Sequence, residues 1–150
     1  MDSRVAEQFF AECSVAFAFL GQEYGFSAPT LEVDHEINFV TVAFLSKVLA
    51  IECIYDERER DIDVKISLLH DGKRPTAYAV DDHGRRIRVG LVDILLKLGI
   101  RQFGFRKTQE TVELSSFFRV TLADYASLLR RHHEAIVDKW PTIFDVEPDS

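Results

Sequence analysis

Three apolar runs separated by two polar breaks occupy the middle of the chain, between Asn38 and Leu69: NFVTVAFL, SK, VLAIECIY, DERERD and IDVKISLL. Short runs rich in β-branched residues and bounded by polar turns predict an antiparallel meander. Successive strand side chains point to opposite faces, so the alternation also assigns the faces. In the third run Ile62, Val64, Ile66 and Leu68 share one face, and Asp63, Lys65 and Ser67 the other. In the second run Glu52 lies with Val48, Ala50 and Ile54, which leaves Leu49, Ile51, Cys53 and Tyr55 as the core face. The first run is apolar on both sides, with Phe39, Ala43 and Leu45 on one and Val40, Val42 and Phe44 on the other. It is expected to be a central or doubly covered strand.

A helical period frames this meander. Ala6, Phe9, Phe10, Cys13, Phe17 and Leu20 recur at spacings of three and four and predict a helix over Ser3–Leu20, with Asp2 or Ser3 as its cap. Gly21 or Gly25 would end it. A second helix is predicted over Thr121–Trp140, where Leu122, Tyr125, Ala126, Leu129, His133, Ile136 and Trp140 form a stripe. There Thr121 and Asp124 have the spacing of a capping box, and Pro141 supplies the stop.

Between these elements the pattern is weaker. Pro29 breaks any helix before a short strand at Leu31 to Val33, and Ser46–Lys47 makes a two-residue connection. DERERD, Asp56 to Asp61, reads as a solvated hairpin end whose carboxylates and arginines pair with one another. After the Asp71–Gly72 turn come a short strand from Thr76 to Val80, the turn DDHGRR, and a short buried helix over Val89–Leu98 closed by Gly99. Arg101 to Glu113 has loop character, and the acidic end DVEPDS is expected to fray.

Composition adds limits to this picture. The 150 residues suit one domain, 1–150, long enough to bury roughly 68–70% of its unfolded surface. Glu12 and Ser14 interrupt the apolar stretch of the first helix, so no membrane span is expected, and Glu7 and Glu12 argue against a signal peptide. Two cysteines in core segments read as reduced thiols, and the expected location is cytoplasmic. The net charge of −7 speaks against nucleic acid as partner and suits a basic protein, since opposite potentials speed and orient encounter.

Chemistry finds little footing. Of the five histidines, only His132 and His133 are adjacent, and on a helix they diverge by about 100°. His133 falls on the apolar stripe, and Asp81-Asp82-His83 lies in a solvated turn. Cys13 and Cys53 are expected to be buried and inert. No nucleophile elbow or phosphate-binding glycine loop is present. The expectation is a protein without enzymatic activity, cofactor or metal.

Recognition remains, with two candidate contact surfaces. One is Glu57, Arg58, Glu59, Arg60 and Asp61, extended by Glu52 and Asp63 on the outer sheet face. The other is the Phe103–Thr108 loop, where Phe103 and Phe105 beside Arg106 could anchor an interface.

Together, FAFLGQEYGF (Phe17–Phe26), VTVAFLSKVLAIECIYDERERDIDVKI (Val40–Ile66), VGLVDILLKLG and LADYASLLRRHHEAI resemble a broad group of small bacterial proteins. These include orphans and immunity proteins of polymorphic toxin systems. In place of the short glycine-containing ending expected after the last helix, this chain has Lys139-Trp140-Pro141-Thr142. The resemblance implies a protein-binding role but carries over no functional residue. The expected fold class is α+β: an antiparallel meander of about four or five strands with the N- and C-terminal helices on one face. The expected function is an immunity protein that occludes a basic toxin through an acidic surface. The alternative is an acidic dimeric secretion-type chaperone holding an extended client segment. A monomer favours the first and a homodimer the second.

Overall fold

The central runs form the strands that their alternation predicts, and two further strands complete one antiparallel sheet. In the computed structural model, which describes residues 1–76, 79–101, 103–105 and 112–144, the sheet order follows the chain. The strands are β1 (Thr30–Asp34), β2 (Phe39–Leu45), β3 (Leu49–Asp56), β4 (Asp61–Leu68) and β5 (Arg88–Gly90). The helices are α1 (Ser3–Ala16), α2 (Ala18–Tyr24), α3 (Leu91–Lys97), α4 (Leu114–Arg131) and α5 (Trp140–Ile143), with a π-helical turn at Glu134–Asp138. The fold is α+β, as expected. No described helix is long and apolar enough to cross a membrane.

Register follows the burial pattern. Cys53 stands opposite Val42 and Val64, and Ile51 opposite Phe44 and Ile66, so the inner faces of β2, β3 and β4 coincide. Every one of these six residues is buried. The central place in the sheet falls to β3 rather than to the first run, and β3 is covered on both faces. The β2–β3 connection also includes Val48, and Ser46 organises it: its hydroxyl accepts from the Val48 and Leu49 amides.

Against the inner face lie α1 and α4, packed on each other. Asp2 caps α1 by accepting from the Arg4 amide at 2.9 Å. The predicted single helix to Leu20 is two helices, because the backbone departs from α geometry at Phe17. That break turns Phe17 into the core beside Phe19 and Phe44, and α2 then runs on to Tyr24. Gly25, at φ +74°, ends α2 in the left-handed conformation that glycine adopts without steric cost. Phe9, Tyr55 and Phe118, one each from α1, β3 and α4, meet edge to face or tilted with centroids 4.8 to 5.7 Å apart. The Tyr125 hydroxyl donates to the Ile62 carbonyl at 3.0 Å and fixes α4 over β4.

The later segments depart most from expectation. The C-terminal helix begins at Leu114, seven residues before Thr121, and ends at Arg131. Thr121 is therefore an interior residue with no capping role. The predicted helix over Val89–Leu98 opens instead with β5, and only Leu91–Lys97 is helical. The strand expected from Thr76 to Val80 does not form among the described residues: Ala77 and Tyr78 lie outside them, and Val80 makes an isolated bridge with Arg86. The acidic end Asp145–Ser150 also lies outside the described residues.

Because Phe118 is fully buried between two aromatic partners, Phe118→Ala should cost about 3–5 kcal/mol in urea unfolding. Val15→Ser, at a position 76% exposed, should stay within about 0.5 kcal/mol of the parent.

Candidate functional site

The sequence places Glu52 on the solvent face of the sheet, and the structure overturns that. Glu52 is fully buried. It does share the outer face with Ala43 and Lys65, its partners across the ladder. However, the chain after β4 folds back over this face and brings two arginines onto the carboxylate. Arg74 Nε donates to Oε2 at 2.7 Å, Arg88 Nε to Oε1 at 2.8 Å and Arg88 Nη2 to Oε2 at 3.0 Å. The Ser67 hydroxyl also donates to Oε1. Arg74 reaches on to Glu32 of β1 at 3.0 Å, and Arg88 to the Pro75 carbonyl at 3.1 Å. Glu52 is thus a structural clamp, with no free face for a partner.

Burial alone would raise the Glu52 carboxyl, but hydrogen bonds from Arg88 and Ser67 and the charges of Arg88 and Arg74 outweigh it. The net effect holds the group below its ordinary range. A depressed folded pKa contributes stability that is present above the unfolded carboxylate range and lost as the pH falls through the folded value.

A different group of carboxylates faces water. The β1–β2 and β3–β4 connections lie side by side at one end of the sheet and have the same construction. In one, Asp34 Oδ1 accepts from the Glu36 and Ile37 amides; in the other, Asp56 Oδ1 accepts from the Arg58 and Glu59 amides. Both close through a left-handed residue, Asn38 at φ +56° and Arg60 at φ +49°. The two tips are joined by the Glu57 amide donating to the Asn38 carbonyl at 3.1 Å and by Arg58 Nη2 donating to the Glu36 carbonyl at 3.2 Å.

This geometry revises the expected charge pairing within Asp56–Asp61. Arg58 binds a backbone carbonyl, while Arg60 binds the Val112 carbonyl and lies 5.4 Å over the Phe117 ring. Among the described residues, no ion pair engages Glu36, Glu57, Glu59 or Asp61. The arginines brace the tips and leave the carboxylates free. Glu36, Glu59 and Asp61 are exposed and Glu57 is half-buried. Asp63, two residues along β4, is half-buried too, and burial pushes its carboxyl up. Sequence reasoning reached the second tip but not Asp34 and Glu36. Their own signal was present, since DHEIN between two apolar strands is itself a turn rich in acids.

The second predicted surface does not stand free. Phe103 and Phe105 are half-buried and packed against the core, Phe105 with its ring 4.6 Å from Tyr125. Phe105 covers α4, and neither ring projects as an anchor. Arg106 lies outside the described residues.

Other polar groups are occupied or scattered. Cys13 and Cys53 are both buried, and burial, with Cys53 close by, pushes the Cys13 thiol well up. His133 is half-buried and stacks on Tyr24 with centroids 4.4 Å apart. An open hollow of about 1270 Å³ beside the Leu69–Ile87 segment is bordered by residues of both charge signs, including Lys73, Asp82 and Arg86. The described residues contain no group of three or more His, Cys, Asp or Glu side chains placed to hold a metal ion. No family model matches the chain, and no curated protein or solved structure is detectably similar to it.

Removing the Glu52 charge strands two arginines, so Glu52→Gln should destabilise by about 3–5 kcal/mol at neutral pH. The gap between parent and variant in chemical unfolding should narrow as the pH falls below the carboxylate range, because the parent then loses the same charge. Neither thiol should react with a disulfide reagent in the native state, and both should react after unfolding.

Proposed function

We propose that the protein is a non-enzymatic binding module whose paired acidic tips receive a basic protein partner. The observation that carries this reading is the division of labour at the tips. Backbone hydrogen bonds and two arginines hold the loops, while Glu36, Glu57, Glu59 and Asp61 have no ion-pair partner among the described residues. Loops whose backbone is already fixed lose little backbone entropy when their solvated carboxylates meet Lys or Arg, so the surface is preorganised at the level of the backbone. Their summed field would also steer a basic partner during approach.

Within that class, the reading extends to an immunity protein that occludes a toxin in the cytoplasm. The resemblance of the Phe17–Phe26 and Val40–Ile66 stretches to a broad group of small bacterial proteins, orphans and immunity proteins among them, motivates this extension. Mechanistically it asks for steered association followed by steric block, which requires no reactive group of this chain.

The test compares the parent with a variant carrying Glu57→Lys, Glu59→Lys and Asp61→Lys, both tagged and used to capture partners from the producing cell's lysate. The parent should retain a basic protein at low salt and release it at high salt. The variant should associate about 100-fold more slowly with the captured protein. Co-production of the parent chain should restore growth to cells making that protein. Capture unchanged by the charge reversal would overturn the acidic-tip reading.

A further inference from the structure

The two edges of the sheet are finished differently. At β5 the edge is three residues long, and the Ala79 carbonyl already accepts from the Ile87 and Arg88 amides. At the other edge β1 runs for five residues, and among the described residues no strand lies beyond it. Thr30, Leu31, Glu32 and Asp34 are exposed and Val33 is half-buried. An edge strand offers a row of backbone donors and acceptors to any extended chain that can pair with it.

We infer that β1 accepts an added strand from a basic partner, in which apolar residues alternate with Lys or Arg. The inference rests on the acidic-tip reading and supplies the backbone contact that accompanies the charged one. The faces of β1 define the occupant. Leu31 and Val33 stand opposite the buried Val42 and Val40, so an incoming strand meets an apolar row on that side, with Leu31 still 40% exposed. On the other side it meets Glu32 and Asp34, and Glu32 stays 67% exposed although Arg74 binds it. The edge then runs directly into the first acidic tip, where Ile37 is 46% exposed.

The same charges disfavour a second copy of this chain. In the register that pairs all five residues, antiparallel self-pairing with the two faces aligned sets Glu32 opposite Glu32 of the other copy. Like charges directly opposite are destabilising, whereas a Lys or Arg at that place forms a favourable cross-strand pair. Strand addition with alternating side-chain specificity is the mode of recognition that this edge fits.

The probe is a short capped peptide alternating Lys with Val, titrated into the isotope-labelled protein while amide shifts and hydrogen exchange are followed. Saturable shifts and slowed exchange concentrated at 30–34 support the inference. A peptide with Glu in place of Lys should bind about tenfold more weakly. A Lys–Val peptide N-methylated at alternate residues, which keeps the side chains and removes backbone donors, should lose the protection.

Three results overturn the inference: shifts confined to the Asp56–Asp61 tip, equal binding of the methylated peptide, or no binding at millimolar peptide. Protection at β1 that grows with protein concentration alone would also overturn it, in favour of self-association. The acidic-tip reading is separable, because Glu57→Lys, Glu59→Lys and Asp61→Lys should leave the peptide-induced protection at β1 in place. If charge reversal abolishes partner capture while the peptide leaves β1 unchanged, the tips stand and the edge falls.

Discussion

A charged carboxylate can remain in the interior only while its countercharges stay over it. Glu52 sits on the central strand with almost no contact with water, and its two arginines arrive from 22 and 36 residues further along. Removing either arginine would strand charge in a low-dielectric surrounding, a loss larger than the net worth of the intact pair. The network therefore fixes where the segment after β4 can lie. Arg88 opens β5 and holds Glu52, Ser67 and Pro75 at once. Arg74 spans from β3 to β1 through Glu52 and Glu32. Covering the outer face is thus an electrostatic matter, whereas covering the inner face is a hydrophobic one.

That division decides which surfaces remain available. Helices α1 and α4 bury the inner face through Phe9, Phe118, Leu122 and Leu129. The clamp occupies the middle of the outer face. What is left is the end of the sheet with its two tips and the flank along β1. At the tips the same residue type does the opposite of what it does at the clamp: Arg58 and Arg60 satisfy carbonyls and leave the acids unneutralised. A left-handed Arg60 costs of order 1 kcal/mol in backbone energy, and its contacts with Val112 and Phe117 oppose that cost.

Legibility in the sequence followed the range of the interactions involved. The meander could be read because period-two alternation is local, and the inner face of Leu49, Ile51, Cys53 and Tyr55 was correctly assigned from it. Local signals narrow the helix ends to Asp2 or Ser3 and to Gly21 or Gly25, and the structure uses Asp2 and Gly25. Alternation puts Glu52 on the correct face but not at its depth, because it reports only that a residue is polar. Nothing within β3 signals arginines that come from a distant loop. At α4, Thr121 and Asp124 imitate a capping box, yet Leu114, Phe117 and Phe118 already continue the stripe back from Leu122 and Tyr125. The period was legible there, and the false cap hid it. β5 is too short for any period to separate it from the helix that follows.

The candidate site was half visible for a related reason. DERERD shows its charges plainly, but whether those charges pair with one another depends on where the arginines point, and that depends on neighbours far away in sequence. Glu36 lies 22 residues before Arg58, and Val112 lies 52 after Arg60. The run has four acids and two arginines, so pairing does not change its net negative charge; it decides which carboxylates are left without a partner. Once the cations are committed to carbonyls, the carboxylates of the run are left for a partner, and the neighbouring DHEIN tip adds its own. The availability of these carboxylates is therefore a tertiary property. It is created by the same kind of long-range arginine contact that, at Glu52, conceals a carboxylate.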